Sequence, residues 1–367
     1  MKKVYKKENA ITLVALVITI VILLILSGIS ISALTNTGIF QKSKEAKEKS
    51  ENAQKQENEI LDEYEKEMEQ YGDNTLISNF NSGKIKVGDY IKYEPDKITD
   101  TDEDYKTLIS NFNTYSGCNE NTIDTLKQDD INWRVLDVKN GRIRLISDEV
   151  TKSILYFRGY NGYNNAVKLL DNTCSILYKN TKWTYEAENI KIEDIIKYMK
   201  TKPIENEEEF NKNNVNYPNI LLKEKNQNID GQNELEKNLK TSEQNNFILG
   251  NSMTNNAILK YTDFNVTLDK NSFTQNIYYE IFVNKSDSNM NYWISTRFIR
   301  VDSLVRFGVK FMKNDSTIAS SILCDSAKYE GTNEKQFRPV ITLNSGVQLD
   351  IQNSGDGSSP EKAYAIK

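Results

Sequence analysis

The sequence predicts an α+β protein in which a long N-terminal α-helix precedes a mainly antiparallel head. Three observations support this class. Residues 11–34 contain no charged side chain, and residues 35–72 are dominated by Lys, Glu, Gln and Asn, with apolar residues at helical spacing. From Ile85 onward the chain changes to short alternating segments separated by polar turns.

Composition limits the functions that the chain can have. The 367 residues include 47 Lys and Arg, 52 Asp and Glu, three Cys and no His, for a net charge of −5. The missing His excludes imidazole-based acid–base catalysis and every zinc site that needs imidazole. Without a basic block, the chain is not expected to bind nucleic acid.

The first segment is a leader of residues 1–10, followed by an uncharged run at residues 11–34. A bilayer core about 30 Å thick needs about 20 apolar residues, so the run is long enough to span it as a helix. A cleaved signal peptide is the alternative, but its apolar core is usually only about 7–15 residues long. We therefore predict a single-pass protein of the cell membrane.

Charge gives the orientation only weakly. Four Lys precede the run, and four more follow it shortly afterwards. Since Lys and Arg are retained on the cytoplasmic side, the two clusters nearly balance. The second cluster begins several residues beyond the run, which favours a cytoplasmic N-terminus and an extracellular head.

The segment Asn9-Ala10-Ile11-Thr12-Leu13-Val14-Ala15-Leu16 and the apolar run behind it resemble the prepilin-type cleavage and methylation segment of type IV pilin-like and pseudopilin-like proteins. The resemblance implies that a prepilin peptidase cuts between Ala10 and Ile11. It also implies other pilin-like subunits as partners. The family usually has Gly where this chain has Ala10.

Ala15 stands where most pilins carry a Glu. In a pilus that buried carboxylate pairs with the N-terminal amine of the neighbouring subunit, because a charge buried among helices needs a partner. Two alternatives follow from the absence of this Glu. The chain is either a minor subunit of a filament, or an anchored protein that does not polymerise.

Residues 35–72 predict a charged helical stalk, which continues the apolar run as one helix from about Thr12 to Tyr71. Apolar residues recur at Ile39, Ala46, Ala53 and Ile60, a narrow stripe at helical spacing. The same pattern suits a solvated coiled-coil spacer. We expect a linker at residues 73–84.

Residues 85–350 predict the head. The alternating segments at 131–138 and 143–146, joined through Asn140-Gly141, predict a β-hairpin. Helical periodicity appears at 164–178 and 192–199, and strands are expected between Tyr292 and Leu349. The Asn-rich stretch 200–260 is expected to be a long loop or insertion, and residues 351–367 an exposed tail.

Five short motifs within residues 85–350 resemble an extracellular domain common in Firmicutes. They are Asn132-Trp133-Arg134-Val135-Leu136, Gly159-Tyr160-Asn161-Gly162-Tyr163-Asn164-Asn165-Ala166, Ile192-Glu193-Asp194-Ile195, Tyr292-Trp293-Ile294-Ser295-Thr296-Arg297 and Phe337-Arg338-Pro339-Val340. The resemblance implies a fold like that of C-type lectins and sulfatase-modifying factors.

Aromatic residues are the candidate ligand-binding groups. Trp183, Tyr160 and Tyr163 are candidates for stacking on a sugar, whereas Trp133 and Trp293 are expected in the core because they lie in strands. Arg297 and Arg338 are expected to be buried and paired with carboxylates.

Cysteine and acidic residues give fewer indications. Cys118 and Cys174 are a candidate disulfide, with three buried free thiols as the alternative. The acidic run at Asp100–Asp104 fails the EF-hand pattern, so no metal ligands and no cofactor are predicted. Calcium bound by loop oxygens of the head is a further alternative, for which the sequence identifies no ligand residues.

Together these features predict a membrane-anchored, cell-surface protein with a structural or adhesive role. Its head would bind a glycan or a protein. The alternative is a tethered extracellular hydrolase that uses paired carboxylates; no catalytic residue is assigned, because no motif has catalytic spacing. A cleft with aromatic walls and two carboxyls about 5–10 Å apart would favour that enzyme.

Overall fold

The computed structural model describes residues 74–118, 126–201, 203, 247, 265–283, 291–301, 305–325, 327 and 329–367. In chain order its elements are α1 (Leu76–Asn81), β1 (Tyr90–Lys92), α2 (Glu103–Tyr115), β2 (Trp133–Lys139), β3 (Arg142–Ser147), β4 (Leu155–Arg158), α3 (Gly159–Tyr178), β5 (Thr184–Asn189), α4 (Ile192–Ile196), β6 (Val266–Thr267), α5 (Asn276–Phe282), β7 (Tyr292–Val301), β8 (Val305–Met312), β9 (Thr317–Asp325), β10 (Thr332–Lys335), β11 (Pro339–Leu343) and β12 (Tyr364–Ala365). Short 3₁₀ helices occupy Lys270–Ser272 and Pro360–Lys362.

The strands form three sheets. A six-stranded sheet has the order β12-β1-β2-β3-β11-β5, a four-stranded sheet has the order β6-β9-β8-β7, and β10 pairs with β4. The pair β1–β12 is parallel, and the other pairs are antiparallel. The six-stranded sheet therefore joins the first and last strands of the described chain side by side.

The predicted hairpin is confirmed. Strands β2 and β3 pair directly, and Asn140 and Gly141 at the turn have φ values of 52° and 72°. Two successive positive φ angles are what a two-residue hairpin turn of the right twist requires, and Asn-Gly is the sequence that adopts them most readily.

Hydrophobic clusters cover both faces of the six-stranded sheet. On one face Val135, Leu145 and Ile341 pack with α3, which is buried along most of its length. On the other face Ile146 and Val340 join a second cluster that includes residues of α4, α5 and β7. Burial on both faces explains why every residue of β11 is buried and all but Thr342 are apolar. Trp133 and Trp293 are fully buried, as predicted.

A buried charge network crosses the second face. The Arg144 guanidinium donates two hydrogen bonds of 2.6 Å to Asp137 and one of 2.6 Å to Asp194. The Tyr198 hydroxyl and the Lys197 ammonium also donate to Asp137. Burial acts to raise the pKa of Asp137, but the bonds and the charge of Arg144 outweigh it and lower that pKa.

The predicted fold class is wrong. The structure has mixed helices and sheets around a β-rich core, and a long apolar N-terminal helix is not among its described elements. Within the described residues, no helix combines the length and the apolar character needed to cross a bilayer. Hydropathy and spacing are local signals, and the helix inferred from them falls on residues 12–71, outside the described residues. The leader, the stalk and almost all of residues 200–260 lie outside them too.

Both ends of the described chain belong to the fold. Leu76 of α1 is buried, and its N–H donates to the Val347 carbonyl at 2.9 Å. In the segment expected to be a tail, Tyr364 and Ala365 are buried as β12 beside β1. Segments 73–84 and 351–367 were expected to be a linker and a tail, and each contributes an element to the domain.

Candidate functional site

A cleft of about 200 Å³ opens at one end of the six-stranded sheet. It lies between the segment around β1, the residues that enter β2, and the 3₁₀ helix near the C-terminus. Its lining residues are Tyr90, Ile91, Lys92, Tyr93, Glu94, Asp130, Ile131, Asn132, Trp133, Pro360 and Ala363. Three separate parts of the chain therefore build the cleft, which we call the β1 cleft.

Strand alternation decides which side chains are available in the β1 cleft. Successive residues of a strand point to opposite faces. Along Tyr90–Glu94 the odd-numbered residues Ile91 and Tyr93 are buried, whereas Lys92 and Glu94 are exposed and Tyr90 is partly exposed. Tyr90 lies opposite Arg134 in the β1–β2 pair, so these two share a face. The accessible groups are thus one aromatic ring and several polar side chains.

Tyr90 is held rigidly. Its hydroxyl donates to Asp148 at 2.9 Å, and the Arg134 guanidinium lies 5.1 Å from the ring centroid. Arg134 is itself fixed, because its Nε donates to the Gly88 carbonyl at 2.8 Å. Burial, together with the Asp148 carboxylate, raises the pKa of Tyr90 to about 12. The ring is therefore a neutral, preorganised wall.

The C-terminal segment closes the other side of the β1 cleft. The Tyr90 N–H donates to the Gly357 carbonyl at 2.9 Å. Gly357 has a φ of +75°, and a Cβ there would lie 2.4 Å from the Tyr364 ring. The position thus needs glycine on both grounds. The hydrogen bond between Tyr90 and Gly357 holds the segment that carries Pro360 and Ala363 next to β1.

The polar rim carries charges of both signs. Lys92 lies 3.8 Å from Glu94, and both side chains are exposed. Asp130 and Asn132 are also exposed. Carboxylates accept hydrogen bonds from hydroxyls, and amides both accept and donate them. The tyrosine and proline offer apolar surface. The arrangement suits a small polar ligand with one apolar face.

The β1 cleft does contain two carboxyls, Glu94 and Asp130, beside an aromatic wall. Glycoside hydrolases keep one carboxylic acid protonated by placing it in an apolar pocket. Both carboxyls of the β1 cleft are exposed to water instead. The geometry thus favours binding over acid catalysis.

The aromatic candidates from the sequence lie elsewhere. Tyr160 and Tyr163 are buried in the core, where the Tyr160 hydroxyl donates to the Asp325 carbonyl and the Tyr163 ring packs 5.3 Å from Phe307. Trp183 is partly buried, with its ring 6.4 Å from Tyr93. A sugar needs an open ring face, which Tyr160 and Tyr163 do not offer.

The remaining candidates have other placements. Cys118 and Cys174 are buried free thiols, as is Cys324. Arg338 is fully buried but donates to the carbonyls of Ser147 and Asp148, not to the expected carboxylate. Arg297 donates to the Asn164 carbonyl. In the described part of the chain, no group of three or more Cys, Asp or Glu is placed to hold a metal ion.

The processing and assembly residues Ala10, Ile11 and Ala15 lie outside the described residues. Comparisons of the chain with protein-family models, with curated proteins and with solved structures find no match. The residues of the β1 cleft therefore carry the functional assignment on their own geometry.

Proposed function

We propose that the chain is a cell-surface binding protein whose described domain takes a saccharide in the β1 cleft. The observation that supports this most directly is the fixed ring of Tyr90 beside exposed Lys92, Glu94, Asp130 and Asn132. An aromatic face packs against the C–H groups of a sugar, and the polar rim matches its hydroxyls.

Membrane attachment belongs to the same proposal. The uncharged run at residues 11–34 supports an anchor that leaves the domain outside the cell. The resemblance of residues 9–16 to a prepilin-type segment supports processing by a prepilin peptidase, with other pilin-like subunits as partners.

Binding is tested with an array of defined oligosaccharides and the purified chain, followed by titration of the best ligand. Tyr90→Ala is expected to weaken binding by about 2- to 12-fold, because a packed aromatic contact is worth about 0.5–1.5 kcal/mol. Tyr185→Ala is the matched control, since Tyr185 is 59% exposed on β5, at the opposite edge of the same sheet.

Equal losses in the two variants would contradict the assignment to the β1 cleft. Turnover of the bound oligosaccharide that disappears in Glu94→Gln or Asp130→Asn would instead support the alternative of a tethered hydrolase.

Processing is a separate prediction. We expect the mature chain to begin at Ile11, because the segment after Ala10 matches the prepilin pattern. N-terminal mass spectrometry of the chain expressed with a prepilin peptidase checks this. A mature chain that still begins at Met1, or one that begins at Leu34, would show that this part of the proposal is wrong.

A further inference from the structure

A second polar cluster lies away from the β1 cleft, where α3 meets β5 and β7. It contains Asp171 of α3, Glu188 and Asn189 of β5, Lys191, and Ser295 of β7. The Lys191 ammonium lies 4.0 Å from Asp171 Oδ2 and contacts Glu188 Oε2 directly. One lysine therefore lies between two carboxyls from different elements.

The two oxygens of Asp171 have different surroundings. Oδ1 accepts hydrogen bonds from the Asn189 N–H at 3.0 Å and from the Ser295 hydroxyl at 3.1 Å. Oδ2 faces Lys191. Two donors on one oxygen polarise the carboxyl carbon and would stabilise negative charge on Oδ1, as an oxyanion hole does. The amine stands on the side of the other oxygen.

Glu188 is placed to move protons. Its side chain is only 6% exposed, and its Oε1 is buried without a hydrogen-bond partner among the described residues. A buried carboxylate oxygen without a hydrogen-bond partner is costly, so Oε1 of Glu188 lacks a donor that would stabilise it. The nearest proton belongs to the Lys191 ammonium, which its other oxygen contacts.

Protonation states agree with this geometry in part. Burial raises the pKa of Asp171 to about 7, so its neutral acid is populated at neutral pH. An amine attacks a carboxylic acid far more readily than it attacks a carboxylate. Burial acts to lower the pKa of Lys191, but Asp171 and Glu188 outweigh it and raise that pKa. The lysine must therefore lose a proton before it can attack, and Glu188 is the group in contact with it.

We infer that Lys191 and Asp171 condense to form an intramolecular amide that links α3 covalently to the segment following β5. Lys191 gives one ammonium proton to Glu188, and Nζ attacks Cγ of the protonated Asp171. The charge that develops on Oδ1 is held by Asn189 and Ser295. The Cγ–Oδ2 bond then breaks as Glu188 returns its proton, Oδ2 leaves in a water molecule, and Glu188 takes the second amine proton. A lysine ammonium, a carboxylic acid and a carboxylate thus become an amide, a water molecule and a second carboxylic acid.

The bond has a structural use in this domain. The three cysteines of the chain are free and buried, so they supply no disulfide. A covalent link between residues 171 and 191 closes a short loop, and such links stabilise mainly by restricting the unfolded chain. For a domain exposed outside the cell, the amide would resist both pulling and reduction.

Tryptic mass spectrometry of the full chain tests the inference directly. The expected product joins residues 169–179 to residues 183–197, leaves Lys191 uncleaved, and weighs one water less than the sum of the two peptides. Fragment ions should place the link between Asp171 and Lys191. Separate peptides with cleavage after Lys191 would overturn the inference, as would a link confined to residues 183–197 between Glu188 and Lys191.

Variants identify the role of each residue. Lys191→Arg keeps the positive charge but cannot form the amide, so the linked peptide should disappear completely. Glu188→Gln should also abolish it, because the proton acceptor is lost while the side-chain shape is kept. Circular dichroism confirms that each variant is folded. A linked peptide at wild-type yield in Glu188→Gln would refute the role given to Glu188, and the wild-type measurement does not depend on any variant folding.

Discussion

Arg144→Met is expected to lower the free energy of unfolding by about 3–5 kcal/mol at neutral pH, the usual cost of removing one partner from a buried ion pair. Arg144 is 1% exposed and is the main cationic partner of Asp137 and Asp194, which are also buried. Methionine fills much of the same volume but leaves both carboxylates without that cation. Chemical denaturation followed by circular dichroism measures the loss.

Two further variants separate lost charge pairing from lost packing. Arg158→Met removes an exposed arginine 4.0 Å from Glu330, and exposed pairs contribute about 0–1 kcal/mol. The second is the triple variant Arg144→Met/Asp137→Asn/Asp194→Asn. It should recover part of the stability that Arg144→Met loses, because neither carboxylate is then buried without its cation. Equal losses in Arg144→Met and Arg158→Met would contradict the network.

Acid should reduce the difference in the free energy of unfolding between wild type and Arg144→Met. The folded-state pKa of Asp137 lies below its ordinary value of 3.8. Its contribution in the wild type is therefore complete above that value and is lost as pH falls through the folded pKa. In the variant Asp137 has lost its arginine partner, so protonation removes the free-energy cost of a buried charge without that partner. Denaturation curves at pH 7 and at about pH 3 should show this convergence.

The sequence predicted local features better than the assembly of the domain. The Asn140-Gly141 turn was predictable because its φ angles are set by two adjacent residues. Helix α3 was found only from Asn164, although it begins at Gly159. Its first turn, Gly-Tyr-Asn-Gly, is rich in weak helix formers that tertiary packing overrides.

The candidate site required information that local patterns do not contain. Tyr90 and Pro360 are far apart in the chain and meet because β12 pairs with β1. Nothing in the alternation around Tyr90 distinguishes it from other strand aromatics such as Tyr292, which is buried. Alternation does identify Lys92 and Glu94 as the exposed partners of Tyr90, and that was the available signal. Glu188 and Lys191 are three residues apart in the chain, but Asp171 meets them only through packing of α3 on β5.

Gly308→Ala is expected to destabilise the domain by about 1–3 kcal/mol, the usual cost of overpacking a well-filled interior. Gly308 lies in β8, which has a hydrogen-bonded neighbour on each side. A Cβ at this position would lie 2.0 Å from the Ser321 carbonyl oxygen and 2.5 Å from the Phe298 ring. In an ordinary strand interior the sign is opposite, because alanine is favoured over glycine by about 0.5–1 kcal/mol.

A matched control is available at Gly331. There a Cβ would also lie only 2.4 Å from another atom, but that atom is the hydroxyl of Tyr329, a side chain that is 52% exposed. Because Tyr329 can swing into solvent, Gly331→Ala should stay within about 0.5 kcal/mol of wild type. Thermal melts of the two alanine variants should therefore differ clearly.

A second-site change shows which contact sets the cost at residue 308. Phe298→Leu removes ring atoms, so it would restore stability to Gly308→Ala if the ring were the main obstacle. The shorter approach is to the main chain of β9, however, and a backbone carbonyl paired within a sheet cannot move without breaking the ladder. We therefore expect the double variant to be no more stable than Gly308→Ala. Full recovery would show that Phe298, and not the spacing of β8 and β9, requires glycine at this position.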